Sequence, residues 1–383
     1  MIDIVVAGHL CLDMFPAFAP GAALAPGETT EVGAATVATG GAVSNVGLAL
    51  HKLGVAVRLA GRVGDDMFGQ AVRAVLEAAA PGLGAQVIAA PGESTSYTMI
   101  ISPSDDTRHF VHHTGCNATF TAHHLEDTIL ADARLLHIGY PPLMAALAAN
   151  DGDELLALLQ RAKRMGLTTS LDMAMIDLCG PMGRIDWQRL LARCLPYVDL
   201  FVPSAPEILQ MLDRPRFKRL AATCCGDALL DCLTAAEIVD LADALMALGA
   251  PIVLLKLGHR GVLLRTAGAA RIAGIGRAAP LVPQQWADCT CWAACYDVPV
   301  IGTTGAGDTT IAGLLMALVR GMAAEAALDA ACAVGACSVI ATDALSGVRD
   351  WPATQAFVAG RARCATGLGA GWHELRPGVW RPV

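Results

Sequence analysis

Residues 302–313 read Gly-Thr-Thr-Gly-Ala-Gly-Asp-Thr-Thr-Ile-Ala-Gly. The run joins the residue types from which an anion site and a proton acceptor are built. Gly305 and Gly307 let the backbone turn sharply and come close to a ligand. Ile311, Leu314, Leu315 and Leu318 then recur at the spacing of one helix face. The run therefore predicts a helix whose first N–H groups are unpaired and whose dipole end is positive, a ready place for a phosphate. Asp308 falls in the first turn, where its carboxylate can face whatever those groups hold. Thr304, Gly305, Ala306 and Gly307 as cradle with Asp308 as base are what phosphoryl transfer to a hydroxyl requires. A helix entry with an acidic residue that suits the dipole is the plainer alternative. The spacing is neither G-x-G-x-x-G nor a loop ending in Gly-Lys-Ser/Thr.

Three further runs carry polar residues at glycine-rich turns. Gly8-His9-Leu10-Cys11-Leu12-Asp13 ends an apolar strand, and Asp13 can accept hydrogen bonds from a polyol or simply form a turn. Gly40-Gly41-Ala42-Val43-Ser44-Asn45 opens a helix whose buried face is Val43, Val46, Leu50 and Leu53. Asn45 lies off that stripe, with an amide that both donates and accepts, or that serves as a cap. Residues 252–264 read as two short strands around a turn bounded by Gly258 and Gly261. Lys256, just before that turn, either offsets phosphate charge or snorkels from a strand end.

Positioning these residues requires a regular frame. Strands are predicted at 2–7, 57–61, 134–139, 167–172, 198–203 and 252–257, and helices at 43–53, 67–79, 152–165, 236–248, 307–320 and 324–341. The alternation implies an α/β fold, a mostly parallel sheet covered by helices on both faces, with ligands beyond the carboxyl ends of its strands. Two segments break it: 14–36 and 93–115, rich in Gly, Pro, Ser and Thr, read as strands of a small β lid. Residues 211–235 read as an insertion, 271–299 as irregular, and the tail 366–383 as a segment packed on the surface.

Hydrophobic residues make up 54% of the 383 and charged residues 16%, so a large core is easily supplied. The net charge of −8 offers no basic field for nucleic acid. No apolar run reaches the roughly 18 residues of a membrane helix. The chain opens as a strand, without the features of a signal peptide, so its 13 cysteines are expected reduced, in the cytoplasm. Cys289, Cys291 and Cys295 lack a matching second half for a zinc site and read as clustering in a cysteine-rich chain.

Thr304-Gly305-Ala306-Gly307-Asp308 resembles the C-terminal signature of the ribokinase-like (PfkB) carbohydrate kinase family, and the block 39–69, with Gly61-Arg62-Val63-Gly64-Asp65-Asp66, resembles its N-terminal one. The resemblance spans nearly the whole chain as one domain, 1–383. It implies an ATP-dependent sugar kinase requiring Mg²⁺, with Asp308 as base and the Gly305–Gly307 turn as anion hole. It also implies substrate contacts at Asp13, Gly40, Gly41 and Asn45, a nucleotide border at Lys256, Gly258, Gly261 and Thr304, and magnesium organised by Glu207. Asp65 and Asp66 shape a turn and start the next helix. Open lid edges offer pairing into a homodimer.

Three positions depart from the family pattern. Ser204 stands where Asn is usual, three residues before Glu207. Gly302 stands where an Asp helps hold a monovalent cation, so weaker dependence on K⁺ is expected. Asp172-Met173-Ala174 stands for Asp-x-Asn. The alternatives are a nucleoside kinase, with Tyr97, Phe110 or Phe15 stacking a base, and a catalytically weak sugar- or nucleotide-binding protein.

Overall fold

The computed structural model describes every residue except Met1, Pro20, Ala23, Asp105, Asp106 and 225–227. Pro20, Ala23, Asp105 and Asp106 of the two lid segments, and Cys225 and Gly226 of the insertion, therefore lie outside the described residues.

Fifteen strands form two sheets among the described residues. In chain order they are β1 (Ile2–Gly8), β2 (Cys11–Ala17), β3 (Gly33–Gly40), β4 (Val57–Gly64), β5 (Gln86–Ala90), β6 (Tyr97–Ser104), β7 (Thr107–His113), β8 (Ala133–Gly139), β9 (Thr168–Leu171), β10 (Leu200–Phe201), β11 (Ile252–Lys256), β12 (Val262–Thr266), β13 (Thr290–Ala293), β14 (Trp372–Arg376) and β15 (Val379–Pro382). The large sheet runs β14-β15-β13-β12-β11-β10-β9-β8-β1-β4-β5. From β5 to β11 all neighbours are parallel, and beyond β11 all are antiparallel. All six predicted strands lie in the parallel part.

The alternation within β1 shows why this sheet sits in the middle. Ile4 and Val6 enter one apolar core with the helices Gly41–Lys52, Ala306–Val319 and Ala324–Ser338. Val5 and Ala7 enter a second core with the helices Ala145–Arg164, Ala205–Leu212 and Ala235–Ala247. Successive side chains point to opposite faces, so a strand apolar at every position must be covered twice. The cover puts the carboxyl ends of β1, β8, β9 and β11 along one rim.

The Ala145–Arg164 helix is interrupted, with Asn150, Asp151 and Gly152 at φ 52°, 56° and 80°. Its regular part therefore starts where the apolar periodicity begins. Asp66 caps the Met67–Ala79 helix by accepting from Gly69 N, as expected. The insertion holds two short helices, Arg214–Ala221 and Ala228–Asp231.

Two readings need correction. The tail is not merely laid on the surface: β14 and β15 form a hairpin that pairs with β13 and extends the large sheet. Residues 271–299 are not wholly irregular, because they hold β13, whose Cys291 and Trp292 are buried. β13 is four residues long, and its partners lie far along the chain, so local pattern does not show it.

The lid is a four-stranded sheet, β3-β2-β6-β7. It starts three residues earlier than the Gly/Pro-rich composition marks, because β2 begins at Cys11. Asp13 is thus on a lid strand, not in a turn after β1. There it faces Ala38 of β3 and Thr98 of β6 in register.

Candidate active site

Asp308 lies in the first turn of the Ala306–Val319 helix, 2% exposed. Its Oδ1 accepts from the Tyr140 hydroxyl at 2.6 Å and its Oδ2 from Asn45 Nδ2 at 2.9 Å. Three segments far apart in the chain thus meet at one carboxylate. The helix is capped by Gly305 at φ 70°, and no side chain caps its first turn. A Cβ on Gly305 would lie 2.2 Å from Ala344 Cβ, and its positive φ disfavours other residues as well. The Gly41–Lys52 helix likewise starts from Gly40 without a side-chain cap. Ala306 N donates to Thr303 O and Val43 N to His9 O; the other amides of two helix starts without side-chain caps are what an anion needs.

Lys256 reaches this point from the end of β11. A Cβ on Gly307 would lie 3.5 Å from its Nζ, which donates to Asp172 Oδ1 at 2.7 Å. Lys256 is therefore beside the glycine turn, and the snorkelling alternative is set aside. Asp172, at the end of β9, is fully buried, and its Oδ2 has no partner. Burial would lower the Lys256 pKa, but the carboxylates of Asp172, Glu207 and Asp308 outweigh it and raise it, so the ammonium is held charged. Burial likewise pushes Asp308 above the usual carboxylate range, against the pull of Lys256, Tyr140 and Asn45.

On the lid side, the Asp13 carboxylate packs against Gly40, where a Cβ would lie 2.0 Å from Asp13 Oδ2. Gly41, at φ 82°, stands against His9 in the same way. Burial raises the Asp13 pKa to about 6, with Asp308 nearby adding to it and hydrogen bonds from Cys11 and Thr98 opposing it.

Glu207 has a local task as well. Its Oε2 accepts from Ser204 N at 2.7 Å, while Ser204 Oγ accepts from Glu207 N at 3.4 Å. This capping box starts the Ala205–Leu212 helix, so serine in place of asparagine still serves the cap. Gly302 fits a closed place, because a Cβ there would lie 2.6 Å from Ala341 O and 2.8 Å from Thr342 O. Gly258 and Gly261 shape the turn from β11 to β12, the latter at φ 90° with its Cα against Ala293 O. They stand beyond Lys256, and Thr304 directly precedes the cradle. Among the aromatics weighed for base stacking, Tyr97 packs on Phe68 and His113 as lid core, and Phe110 is 60% exposed.

Sequence reading missed Tyr140, His9 and His112. Tyr140 follows β8 with φ 66° and ψ 47°, a left-handed conformation that costs energy in a non-glycine residue and clusters at functional sites. The available signal was positional: it is the residue just past a parallel strand.

Two buried histidines contribute to the pH dependence of stability. Burial holds His9 and His137 neutral, pushing both down to about 3. The unfolded chain takes up these protons near pH 6.5, the folded one only near 3. Stability is therefore complete above pH 6.5 and falls as pH drops, by about 1 kcal/mol per pH unit for each histidine. Asp13, raised to about 6, works oppositely, since the fold favours its protonated form. The buried Asp172, raised to about 8, and Asp308, also raised, work in the same direction as Asp13, so the histidine contribution is read by difference from a variant and not from the net slope. The urea midpoint of His137→Gln is expected to gain on that of the parent as pH drops from 6.5 to 4.5, and a difference that does not change with pH would refute the assignment.

Among the described residues, no helix is long and apolar enough to cross a membrane. Residues 1–350 match the model of the pfkB family carbohydrate kinases. Similar solved structures include Arabidopsis thaliana ribokinase complexed with ribose and ATP, with a TM-score of 0.68 and 20% identity over 94% of this chain and 99% of that one. Ribokinase from Thermotoga maritima gives 0.67 and 21% over 93% and 99%. Fructokinase with bound ATP from Xylella fastidiosa gives 0.67 and 19% over 94% and 98%. The expected ribokinase-like α/β fold is therefore the fold of this chain, and the chain belongs to the pfkB family of carbohydrate kinases.

Proposed function

We propose that this protein transfers a phosphoryl group from ATP to a hydroxyl of a sugar or sugar-like small molecule, with Asp308 as the base. The observation that carries the reading is the buried Asp308 carboxylate beside an uncapped, glycine-built helix start, with Lys256 at the same turn. Asp308 takes the proton of the acceptor hydroxyl. The amides of Gly305 and Gly307 face the charge that develops on the transferred group, Ala306, whose amide donates to Thr303 O, spaces them, and Lys256 adds a fixed positive charge. Asn45 and Asp13, with the Gly40–Gly41 turn, hold the acceptor hydroxyls in line, and such positioning supplies a large part of the rate. The lid excludes water, which would otherwise compete as acceptor.

The bare helix start and Lys256 suit a polyphosphate, with Thr304, Gly258 and Gly261 bordering it. Mg²⁺, when bound, neutralises charge on the donor phosphates, and Glu207 would hold it through water, since one carboxylate oxygen is free of the cap bond. Magnesium is commonly held this way, by few carboxylates and several waters. Glu207→Gln is therefore expected to raise the magnesium needed for half-maximal rate several-fold, as one ligand charge is lost. Sugar KM should barely move, and an unchanged magnesium titration would leave Glu207 with its capping role alone.

We read residues 1–383 as one functional unit, working in the cytoplasm, with low K⁺ dependence because Gly302 supplies no charge. The open edge strands β3 and β7, with Val37 and Phe110 exposed, support pairing of two lids into a homodimer. ADP release with Mg·ATP across a panel of sugars, sugar acids and nucleosides tests the reading. Stabilisation by ligand without ADP release would overturn it in favour of a binding protein.

A further inference from the structure

We propose that His9 and His112 form a paired hydrogen-bond-accepting subsite in the acceptor cleft, one imidazole on the body and one on the lid. It takes an uncharged, hydroxyl-rich molecule and rejects sugars carrying a carboxylate or phosphate. The inference rests on reading this cleft as the acceptor site of a sugar kinase.

The protonation of both rings follows from their partners. Ser96 Oγ donates its one hydrogen to His113 O at 2.8 Å and also meets His9 Nε2 at 3.4 Å. The imidazole must therefore be the donor in the second contact. His9 Nδ1 is left without a hydrogen, and it is buried without a partner. Thr98 stands in register with Asp13, whose carboxylate is the stronger acceptor for the one hydroxyl hydrogen, so in the 3.1 Å contact between Thr98 Oγ1 and His112 Nδ1 the ring donates. His112 Nε2 is then a bare acceptor as well, also buried and unpartnered. The two rings lie 5.2 Å apart, and His9 lies 5.9 Å from Tyr140, whose hydroxyl rests on Asp308. The pair thus runs from beside the base to the lid.

One more orphaned atom shares this character. Asn45 Nδ2 is committed to the Asp308 carboxylate, which fixes Oδ1 as an acceptor. Three buried acceptors without donors call for a ligand that brings hydrogens. A polyol supplies them. A carboxylate or phosphate adds further acceptors and negative charge opposite Asp13 and Asp308, and the cation facing these carboxylates, Lys256, is already tied to Asp172.

The test compares matched ligands on the full-length protein. D-ribose, D-fructose and D-glucose are titrated calorimetrically without nucleotide and assayed for ADP release with Mg·ATP, beside D-gluconate and fructose 6-phosphate. Binding and turnover are expected for an uncharged sugar and not for the acid or the phosphate. His112→Leu should raise KM for that sugar about tenfold, more than it lowers kcat, and His112→Gln, whose amide oxygen still accepts, should recover most of the loss. The highest kcat/KM on an acid or phosphate, or an unmoved KM in folded His112→Leu, would overturn the subsite. If no sugar releases ADP but an uncharged one binds and His112→Leu weakens it, the subsite stands and the kinase reading falls. If no uncharged sugar binds, the subsite falls.

Discussion

Asp308→Asn is expected to cut turnover by about 10²–10⁴-fold, the usual worth of a general base. The amide is nearly isosteric, and both neighbours can adapt. Asn45 still donates to the remaining carbonyl oxygen, and the Tyr140 hydroxyl can accept from the new NH₂ where it now donates at 2.6 Å. The variant should fold and bind sugar and nucleotide almost as before. Because burial disfavours the Asp308 charge, a neutral amide should also leave the melting temperature unchanged or raised. The parent should lose kcat/KM as pH falls through a limb above the ordinary carboxylate range, since a protonated Asp308 accepts no proton. Near-normal turnover in a folded Asp308→Asn protein would remove Asp308 from the base role.

Lys256→Met should damage both fold and activity, and the two losses can be separated. The Lys256–Asp172 pair is buried, with Asp172 at 0% side-chain exposure. Removing the ammonium leaves that carboxylate with neither oxygen partnered, because Oδ2 has no partner even now. Breaking a buried pair by removing one member costs about 3–5 kcal/mol. Replacing both members, Lys256→Met with Asp172→Leu, should return most of that stability. Turnover should stay down about 10²–10³-fold in the double variant, the cost of losing one preorganised charge at a transition state. Recovery of turnover together with stability would make Lys256 a purely structural residue.

Much of the frame was legible because its signals are local. The helix at Met67–Ala79 coincides with its predicted span, and the Ala306–Val319 helix starts one residue before its own. β1 needed only a run of apolar residues and a glycine to end it. The glycine turn at 305–307 was equally legible, since at Gly305 only a residue without a Cβ fits the positive φ and the close packing on Ala344. Composition marked the lid but misplaced its start, because Cys11 and Leu12 look like the end of one strand when they begin another.

What only the tertiary structure decided is which distant groups share a charge or a hydrogen. Tyr140 and Asp308 are 168 residues apart, and Lys256 and Asp172 are 84 apart. No periodicity connects such pairs; they meet because parallel strands deliver their carboxyl ends to one rim. The hairpin of β14 and β15 is hidden for the same reason, since its pairing with β13 depends on backbone groups more than 70 residues away and not on the pattern of its own side chains. The sequence by itself determined the strands of the parallel frame, the helices with a long apolar period and the glycine turn, whose causes lie within a few residues. The partners that tune Asp308, Lys256 and the two histidines were set by packing, because burial and proximity are properties of the folded chain.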